Sequence, residues 1–514
     1  MSAADLWNGN FTPLPAILAA HAAERPEAIA VVNDNRSLNY RDFNALVDQV
    51  AASLQRDGVL PGQTIAICAA TSAEYLATFL GALRAGVAVA PLAPSSTPGQ
   101  LLTMLEDCAA RIVFVDHDTV RPASADAMHG KLVNLEGVFG GDPFAIWLSK
   151  PASRPAAITI DPESPFNIIY SSGTTGAPKG IVQSHAMRFG FARMLAAYDY
   201  TPATVSLIST PLYSNTTLAS VLPTLSVGGT LVLMKKFDAK RFAQLAAKHH
   251  VTHAMLVPVQ YNRIMALPDF DGYDLSSFVM KFSTSAPFSG ELKADVLERW
   301  PGGLVEFYGM TEGGGVCVLE AHRYRHKLSS VGRPVIGHDI RLIGEDGNEV
   351  PPGEPGEVVG HSKAMMTGYH NQPGKSADAE WFDSTGKRFI RTGDIGKFDA
   401  DGFLTLVDRK KDMIISGGFN IYPSDIEFVI VQHPDVLEAA VVGMPSKRWG
   451  EAPVAFVTPK PGRQLDAAVL AAFVNGRVGK VQRPAAYEFL DALPRSGIGK
   501  VLKRELRDRK VNVE

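Results

Sequence analysis

The chain has 514 residues, of which 46% are hydrophobic and 20% charged, and 50 Lys+Arg against 53 Asp+Glu leave a formal net charge of −3. This is ordinary globular composition, at a length of about three domains of ~150 residues, so two or more domains are expected. The balanced charge, without a long run of one sign, excludes a general nucleic-acid binder and a polybasic membrane protein, and leaves room for a local patch that holds an anionic ligand.

Cys68, Cys108 and Cys317 lie far apart with no C-x-x-C spacing. Neither a disulfide framework nor a cysteine zinc site is expected, and a reducing, cytoplasmic setting is. The opening MSAADLWNGNFTPLPAILAA has no basic n-region and does not read as a secretory signal. The longest apolar region, from Tyr75 to Pro94, is interrupted by Arg84, Gly81 and Gly86. A span needs about 20 largely uncharged residues, so none is expected.

In chain order, the apolar runs Ala28–Val32 and Thr64–Ala69 have strand length. Between them, Phe43, Leu46, Val47, Val50 and Leu54 recur at helical spacing and predict one apolar face over Tyr40–Leu54. Ser72–Ala85 reads as a further helix and Val87–Pro91 as a strand. Such alternation predicts layered α/β structure with largely parallel sheets. Gly356–Gly360, Phe389–Gly393 and Phe403–Val407 read as short strands of a β-rich module. Composition then shifts at Asp408–Lys411, which reads either as an interdomain hinge or as an ordinary polar turn. Ser424 with Glu427 has capping-box spacing and predicts a helix over Ser424–Gln432. Strands at Ala439–Val442 and Val454–Val457, a helix at Leu465–Val474 and a strand at Tyr487–Leu490 complete a small α+β domain.

Tyr170–Gly180, YSSGTTGAPKG, follows the strand-like Phe166–Ile169 and leads into a helix that Ser184 could cap. Gly173, Gly176 and Gly180 let backbone N–H groups turn toward an anion without Cβ clashes. Ser171, Ser172, Thr174 and Thr175 add hydroxyl donors, and Lys179 adds a mobile charge. Together they describe a polyphosphate cradle, with a flexible polar turn as the plain alternative. It is not a Walker A loop, which requires Gly-Lys where this chain has Pro178-Lys179.

Further motifs follow: TSAP at Thr284–Pro287, FYGMTEGGG at Phe307–Gly315, RTGD ending at Asp394, DRKKD around Arg409, and PRSGIGKVLKREL around Lys500. In this order they resemble the signature motifs of the AMP-forming adenylating enzymes, the superfamily of acyl- and aryl-CoA synthetases, peptide-synthetase adenylation domains and beetle luciferases. The resemblance runs over essentially the whole chain. It implies a large N-terminal domain over 1–408 with layered α/β sheets and a β-rich module. A small mobile α+β C-terminal domain would occupy 409–514 and turn about Lys411.

The resemblance also implies roles. Glu306, Phe307, Tyr308, Gly309 and Met310 would lie along ATP, with Tyr308 packed on the adenine. Ser285, Ala286 and Pro287 would line its other side, Ser285 standing where relatives often have glycine. Thr311 would bind the α-phosphate and Glu312 would hold Mg²⁺, the only metal implied. Asp394 and Arg409 would hold ribose and phosphate. Lys500 would contact the attacking carboxylate and the α-phosphate, with Lys179, Thr311 and Glu312 as further catalytic residues. Each, taken alone, reads as well as a turn residue or a surface charge.

For coenzyme A, Gly417-Gly418 would let a pantetheine arm pass, Trp449 would stack on its adenine, and Arg84 and Arg483 would hold its phosphates. Tyr213, Ser214, Met310 and Val316 are the candidate acyl-pocket residues, Ser214 replacing a histidine that gates many relatives. His185 reads as a structural helix-start residue. The implied reaction joins a small-molecule carboxylate to CoA through an acyl-AMP, with pyrophosphate release. The alternatives are loading of a carrier protein and a catalytically silent nucleotide-binding relative. Identity of the acid and a homo-oligomeric state are left open.

Overall fold

The computed structural model describes the chain apart from residues 35, 118–130, 138–140, 172–178, 410–411, 417–418, 447–448, 496–500, 512 and 514. It divides into two compact units, Met1–Asp339 with Gly360–Ile390, and Ile340–Val359 with Arg391–Glu514.

The first unit is built on two sheets. Among the described residues, one has nine strands in the order Arg333–Pro334, Cys317–Glu320, Gly303–Tyr308, Met280–Ser283, His253–Leu256, Val205–Ile208, Thr230–Leu233, Ile29–Asn33, Arg36–Asn39. Its interior is parallel and its edges antiparallel. The other has eight, in the order Gly368–Tyr369, Lys179–Ser184, Pro165–Ser171, Ala88–Pro91, Thr64–Cys68, Ile112–Val115, Lys131–Asn134, Asp142–Pro143. It is parallel beyond the hairpin formed by Pro165–Ser171 and Lys179–Ser184. The expected α/β layering is therefore present. Central strands buried along their length, such as Thr64–Cys68 and His253–Leu256, are what helices on both faces require.

The predicted helix forms at Tyr40–Arg56, with Phe43, Val47, Val50 and Leu54 buried and Asn39 capping its start. Ser72 caps Ala73–Arg84. These two helices meet where Gly81 has no side chain, since a Cβ there would lie 2.5 Å from Val50 Cγ1. The helix Asn215–Val227 is buried from Thr216 to Val227 and stops at Gly228, whose φ of 81° is left-handed. Some of its hydroxyls bond internally, as where Thr224 Oγ1 lies 2.7 Å from Ser206 Oγ. Cys68, Cys108 and Cys317 are all buried, and none is in a disulfide. No helix among the described residues is long and apolar enough to cross a membrane.

The second unit contains an antiparallel sheet of Phe419–Ile421, Ile414–Ser416, Gly450–Pro459 and Val436–Ser446, with Ala486–Phe489 added in parallel. Strand alternation separates two cores. Val441 and Val457 pack with Ile426, Ile430, Leu470 and Val474 on one face. Val442 and Phe456 pack with Leu493 and Leu506 on the other. The predicted helices form at Pro423–Ile430 and Ala467–Asn475.

Two expectations are corrected here. Ser424 does not cap its helix: the helix starts after Tyr422 with no side-chain cap, and Ser424 Oγ donates to the carbonyl of Val407 instead. Glu427 does not close a capping box either, because its Oε1 accepts from Val441 N at 2.7 Å and pairs with Lys503 at 2.8 Å. Long-range partners outcompete the local cap. Asp394, expected just after a strand, lies within Arg388–Phe398.

Candidate active site

Ser171 and Lys179, which bracket the glycine-rich stretch in sequence, face each other in register in a hairpin of the first unit. Residues Ser172, Gly173, Thr174, Thr175 and Gly176 lie outside the described residues, and of Ser171 only the backbone is described. The flanks are anchored. Tyr170 donates its phenol proton to Asp107 Oδ2 at 2.6 Å, and Lys179 Nζ stands 4.9 Å from the centroid of the Tyr369 ring. His185 opens the next helix, Ser184 capping it. Burial pushes its imidazole down to about 4, so it is neutral near pH 7 and structural, as expected.

The Thr311–Glu312 turn follows the strand Gly303–Tyr308 and is shaped by Gly313, Gly314 and Gly315, at φ 79°, 84° and 118°. Only glycine enters three successive left-handed positions without strain. Two contacts secure the turn that no local pattern announces. Gln183 Nε2 donates to the Thr311 carbonyl at 2.6 Å. Tyr369 Oη donates to Glu312 Oε1 at 2.9 Å. A strap comprising residues 364–371 runs past both elements: Met366 N donates to Glu312 O, Thr367 N to Val182 O and His370 N to Gly180 O. Gln183 continues inward to Asn167 and Arg188, a buried polar chain with Nε of Arg188 2.9 Å from Asn167 Oδ1. Gln183 and Tyr369 are the positions that sequence reasoning missed.

Phe307 is buried in an aromatic cluster with Tyr198 and Phe282, while Tyr308 is half-buried at the strand end and Gly309 is exposed. Met310 packs beside Ile181, Met366 and Tyr369. Val316 is partly buried against the main core, its N–H donating to His338 Nδ1 at 2.9 Å. Glu306 points into the protein, fully buried and 2.5 Å from Lys293, and burial raises its carboxyl to about 7 against the lysine's pull. An ion pair this buried is a structural element, so Glu306 is set apart from the nucleotide-facing candidates.

Ser285 stands at φ 78°, which accounts for glycine being the easier residue there. Its hydroxyl lies 2.7 Å from Thr216 Oγ1, tying the Ser285–Ala286–Pro287 segment to the helix Ser214 caps. Ser214 accepts from Thr216 N at 3.3 Å, and Tyr213 is half-buried beside it. Ser214, Thr216 and Ser285 are thus linked in one polar group.

In the second unit Asp394 and Arg409 are direct partners across an antiparallel ladder. Asp394 is buried, and of Arg409 only the backbone is described. Trp449 is 47% exposed at the turn between two long strands, leaving its indole accessible. Arg483 is exposed, with one N–H to the carbonyl of Asn475. Lys411, Gly417, Gly418 and Lys500 lie outside the described residues.

Arg84 differs from its expectation. Its guanidinium pairs with Asp48 at 2.7 Å and donates to the Pro15 carbonyl and to the carbonyl and side chain of Asn44. With 11% of the side chain exposed, it is a structural brace. Arg84→Leu is therefore expected to cost about 3 kcal/mol in urea unfolding, because Asp48 is left with only Arg154, 3.9 Å away, and the Pro15 and Asn44 carbonyls lose their donor. KM for CoA should not change. A tenfold rise in that KM at unchanged stability would return Arg84 to the CoA set.

No cluster of three or more His, Cys, Asp or Glu side chains that could cage a metal occurs among the described residues. A lone carboxylate, Glu312, suits Mg²⁺ that arrives on nucleotide phosphates and keeps most of its ligands there.

A layered α/β unit with a glycine-rich stretch bracketed by the strands of a hairpin, followed by a small α+β unit, is the architecture of an adenylate-forming enzyme. Residues 18–370 match the AMP-binding enzyme family and residues 425–500 match the AMP-binding enzyme C-terminal domain. The chain belongs to the AMP-binding enzyme family, and it is an enzyme of the AMP-forming ligase type. It is 34% identical over 503 residues to the indoleacetate–CoA ligase of Aromatoleum aromaticum, covering 95% of this chain and 96% of that one. It is 31% identical to the fatty acid–[acyl-carrier-protein] ligase ScoC of Streptomyces coeruleorubidus, covering 95% of each. Its fold is similar to that of ATP-bound MatB from Rhodopseudomonas palustris, with a TM-score of 0.87 at 28% identity over 99% of both chains.

Proposed function

We propose that the protein is an ATP-dependent acyl-CoA synthetase acting in two half-reactions. The observation that carries this reading is the convergence of Lys179 and Glu312 on one side chain, Tyr369, at the base of the glycine-rich loop. In the first step a substrate carboxylate oxygen bonds to the α-phosphorus of ATP, and the bond from that phosphorus to the β-phosphate oxygen breaks. Acyl-AMP forms and pyrophosphate leaves. The loop N–H groups, Ser171, Ser172, Thr174, Thr175 and Lys179 hold the phosphates, Thr311 binds the α-phosphate, and Lys500 meets the charge that develops on it. Glu312 holds the Mg²⁺ that travels with ATP, which supplies charge neutralisation there. Tyr308 and the Ser285–Pro287 segment flank the adenine, and Asp394 and Arg409 hold the ribose.

In the second step the CoA thiolate bonds to the acyl carbon and AMP leaves with the anhydride oxygen. The C-terminal domain, 409–514, turns about Lys411 between the steps, withdrawing Lys500 and bringing up Gly417-Gly418. Trp449 and Arg483 are the CoA contacts; the accessible indole supports this. Arg84 is left out because its donors are spent internally.

A second reading, transfer to a carrier protein, is favoured by the similarity to an acyl-carrier-protein ligase. Pyrophosphate release across a carboxylate panel, with and without CoA, separates the two. CoA-dependent turnover on aromatic or aliphatic acids is the expected result. Pyrophosphate exchange without a CoA product would favour the carrier protein. Nucleotide binding without exchange would point to a silent relative.

A further inference from the structure

Lys179 and Glu312 carry opposite charges; Lys179 opens the strand Lys179–Ser184, Glu312 lies in the turn after Gly303–Tyr308, and Tyr369 contacts both. The ring of Tyr369 lies under the ammonium, with Nζ 4.9 Å from its centroid, and its hydroxyl donates to Glu312 Oε1 at 2.9 Å. The ring itself is held. Gly368 and Tyr369 pair with Val182 and Ile181 in the sheet, Tyr369 N donates to Ser376 Oγ, and Ile181, Met366 and Ile390 pack around the side chain. Tyr369 is only 8% exposed. It can neither swing away nor be replaced by water.

We propose that Tyr369 is a positioning residue for adenylation, a spacer that keeps the phosphate-binding lysine and the metal-binding carboxylate apart. An ammonium and a carboxylate on opposite sides of one ring attract each other across it, and direct pairing would neutralise each for its own ligand. The phenol satisfies both without joining them. Its π face takes the ammonium, and its proton occupies Oε1, leaving Oε2 of Glu312 as the acceptor turned to the metal. This rests on the functional reading above, in which Lys179 meets phosphate and Glu312 meets Mg²⁺.

The two contacts belong to different parts of one side chain, so two substitutions separate them. Tyr369→Phe keeps the ring and removes the hydroxyl; Tyr369→Leu removes both. The full-length protein is titrated with Mn²⁺, followed by electron paramagnetic resonance, in the presence of α,β-methylene-ATP. The same analogue is also titrated in EDTA by calorimetry. Tyr369→Phe is expected to raise the Mn²⁺ half-saturation about tenfold while leaving metal-free analogue affinity within about twofold. Tyr369→Leu is expected to weaken metal-free binding as well, by about fivefold. Unchanged Mn²⁺ binding in Tyr369→Phe overturns the proposal. So does equal loss of metal-free binding in the two variants, which would mark a general packing defect. If the wild-type protein fails to bind the analogue at all, the functional reading fails first.

Discussion

Lys500→Ala is expected to lower acyl-adenylate formation by about 10²–10³-fold, while thioester formation from supplied acyl-AMP stays within about threefold of wild type. The asymmetry follows from the proposed division of labour. Charge develops on the α-phosphoryl group only in the first half-reaction, so a preorganised ammonium matters only there. The structure adds a reason to expect a clean result. Arg495 and Val501, which flank the segment that carries Lys500, form a bridge, and Leu502 N donates to Pro494 O. Arg495 pairs with Glu438, Lys503 with Glu427 and Arg507 with Asp412, all within the second unit. Leu506 anchors the following helix in the core. Truncating the Lys500 side chain removes none of these contacts, and the fold should be unaffected. Pyrophosphate exchange and thioester formation from synthetic acyl-AMP are measured side by side on one preparation. Equal loss of both would sink the assignment of separate conformations to the two steps.

Much of the fold was legible because it is written in short-range patterns. The apolar stripe expected over Tyr40–Leu54, the helix expected from Ser72 and the Ser184 cap involve residues three or four apart, and these elements formed as expected. The glycine-rich turn after Thr311 was legible for a related reason: glycine runs mark backbone that other residues avoid. What escaped was every feature decided by partners distant in sequence. Tyr369 meets Glu312 across 57 residues, and Gln183 meets Thr311 across 128. Nothing local distinguishes either from a half-buried polar residue. Ser424 shows the converse, since a correct local motif was overridden by a carbonyl 17 residues away. Arg84 and Glu306 share one feature that local patterns do not announce: both read as ligand contacts near motifs, and both are paired inside the protein, with Asp48 and Lys293.

The acyl end of the site illustrates how such local departures combine. Ser214, in place of a titratable ring, is used as a helix cap. The helix it starts presents Thr216 to Ser285, a residue held in a conformation that costs about 1–3 kcal/mol outside glycine. A strained serine is tolerated because its hydroxyl gains a partner. The two departures from the family pattern are therefore connected through Thr216, which bonds Ser214 by its N–H and Ser285 by its hydroxyl.

Gly313→Ala should be among the most damaging single-methyl additions in the molecule. Its φ of 79° is left-handed, and a Cβ there would lie 2.1 Å from the Ala364 carbonyl oxygen and 2.9 Å from Met365 Cα. Both obstacles are backbone, so no flexible side chain can yield. The strap or the turn must move. Gly313 is bridged to Met365, and the next residue, Met366, donates to Glu312 O at 2.8 Å. Displacement would therefore reach Glu312 and Thr311 before it could be absorbed. The expected cost is about 2–5 kcal/mol in urea unfolding, from conformational strain and overpacking together. Adenylation should fall by at least about 10²-fold through misplacement of the turn by an ångström or less. Gly337→Ala separates the two effects: its φ of 83° is equally left-handed, yet nothing lies within 4 Å of the added carbon. That control should lose only about 1 kcal/mol and keep its activity. If Gly313→Ala adenylates within threefold of the control, the strap does not hold the turn, and Thr311 and Glu312 owe their placement to Gln183 and to the strand before them.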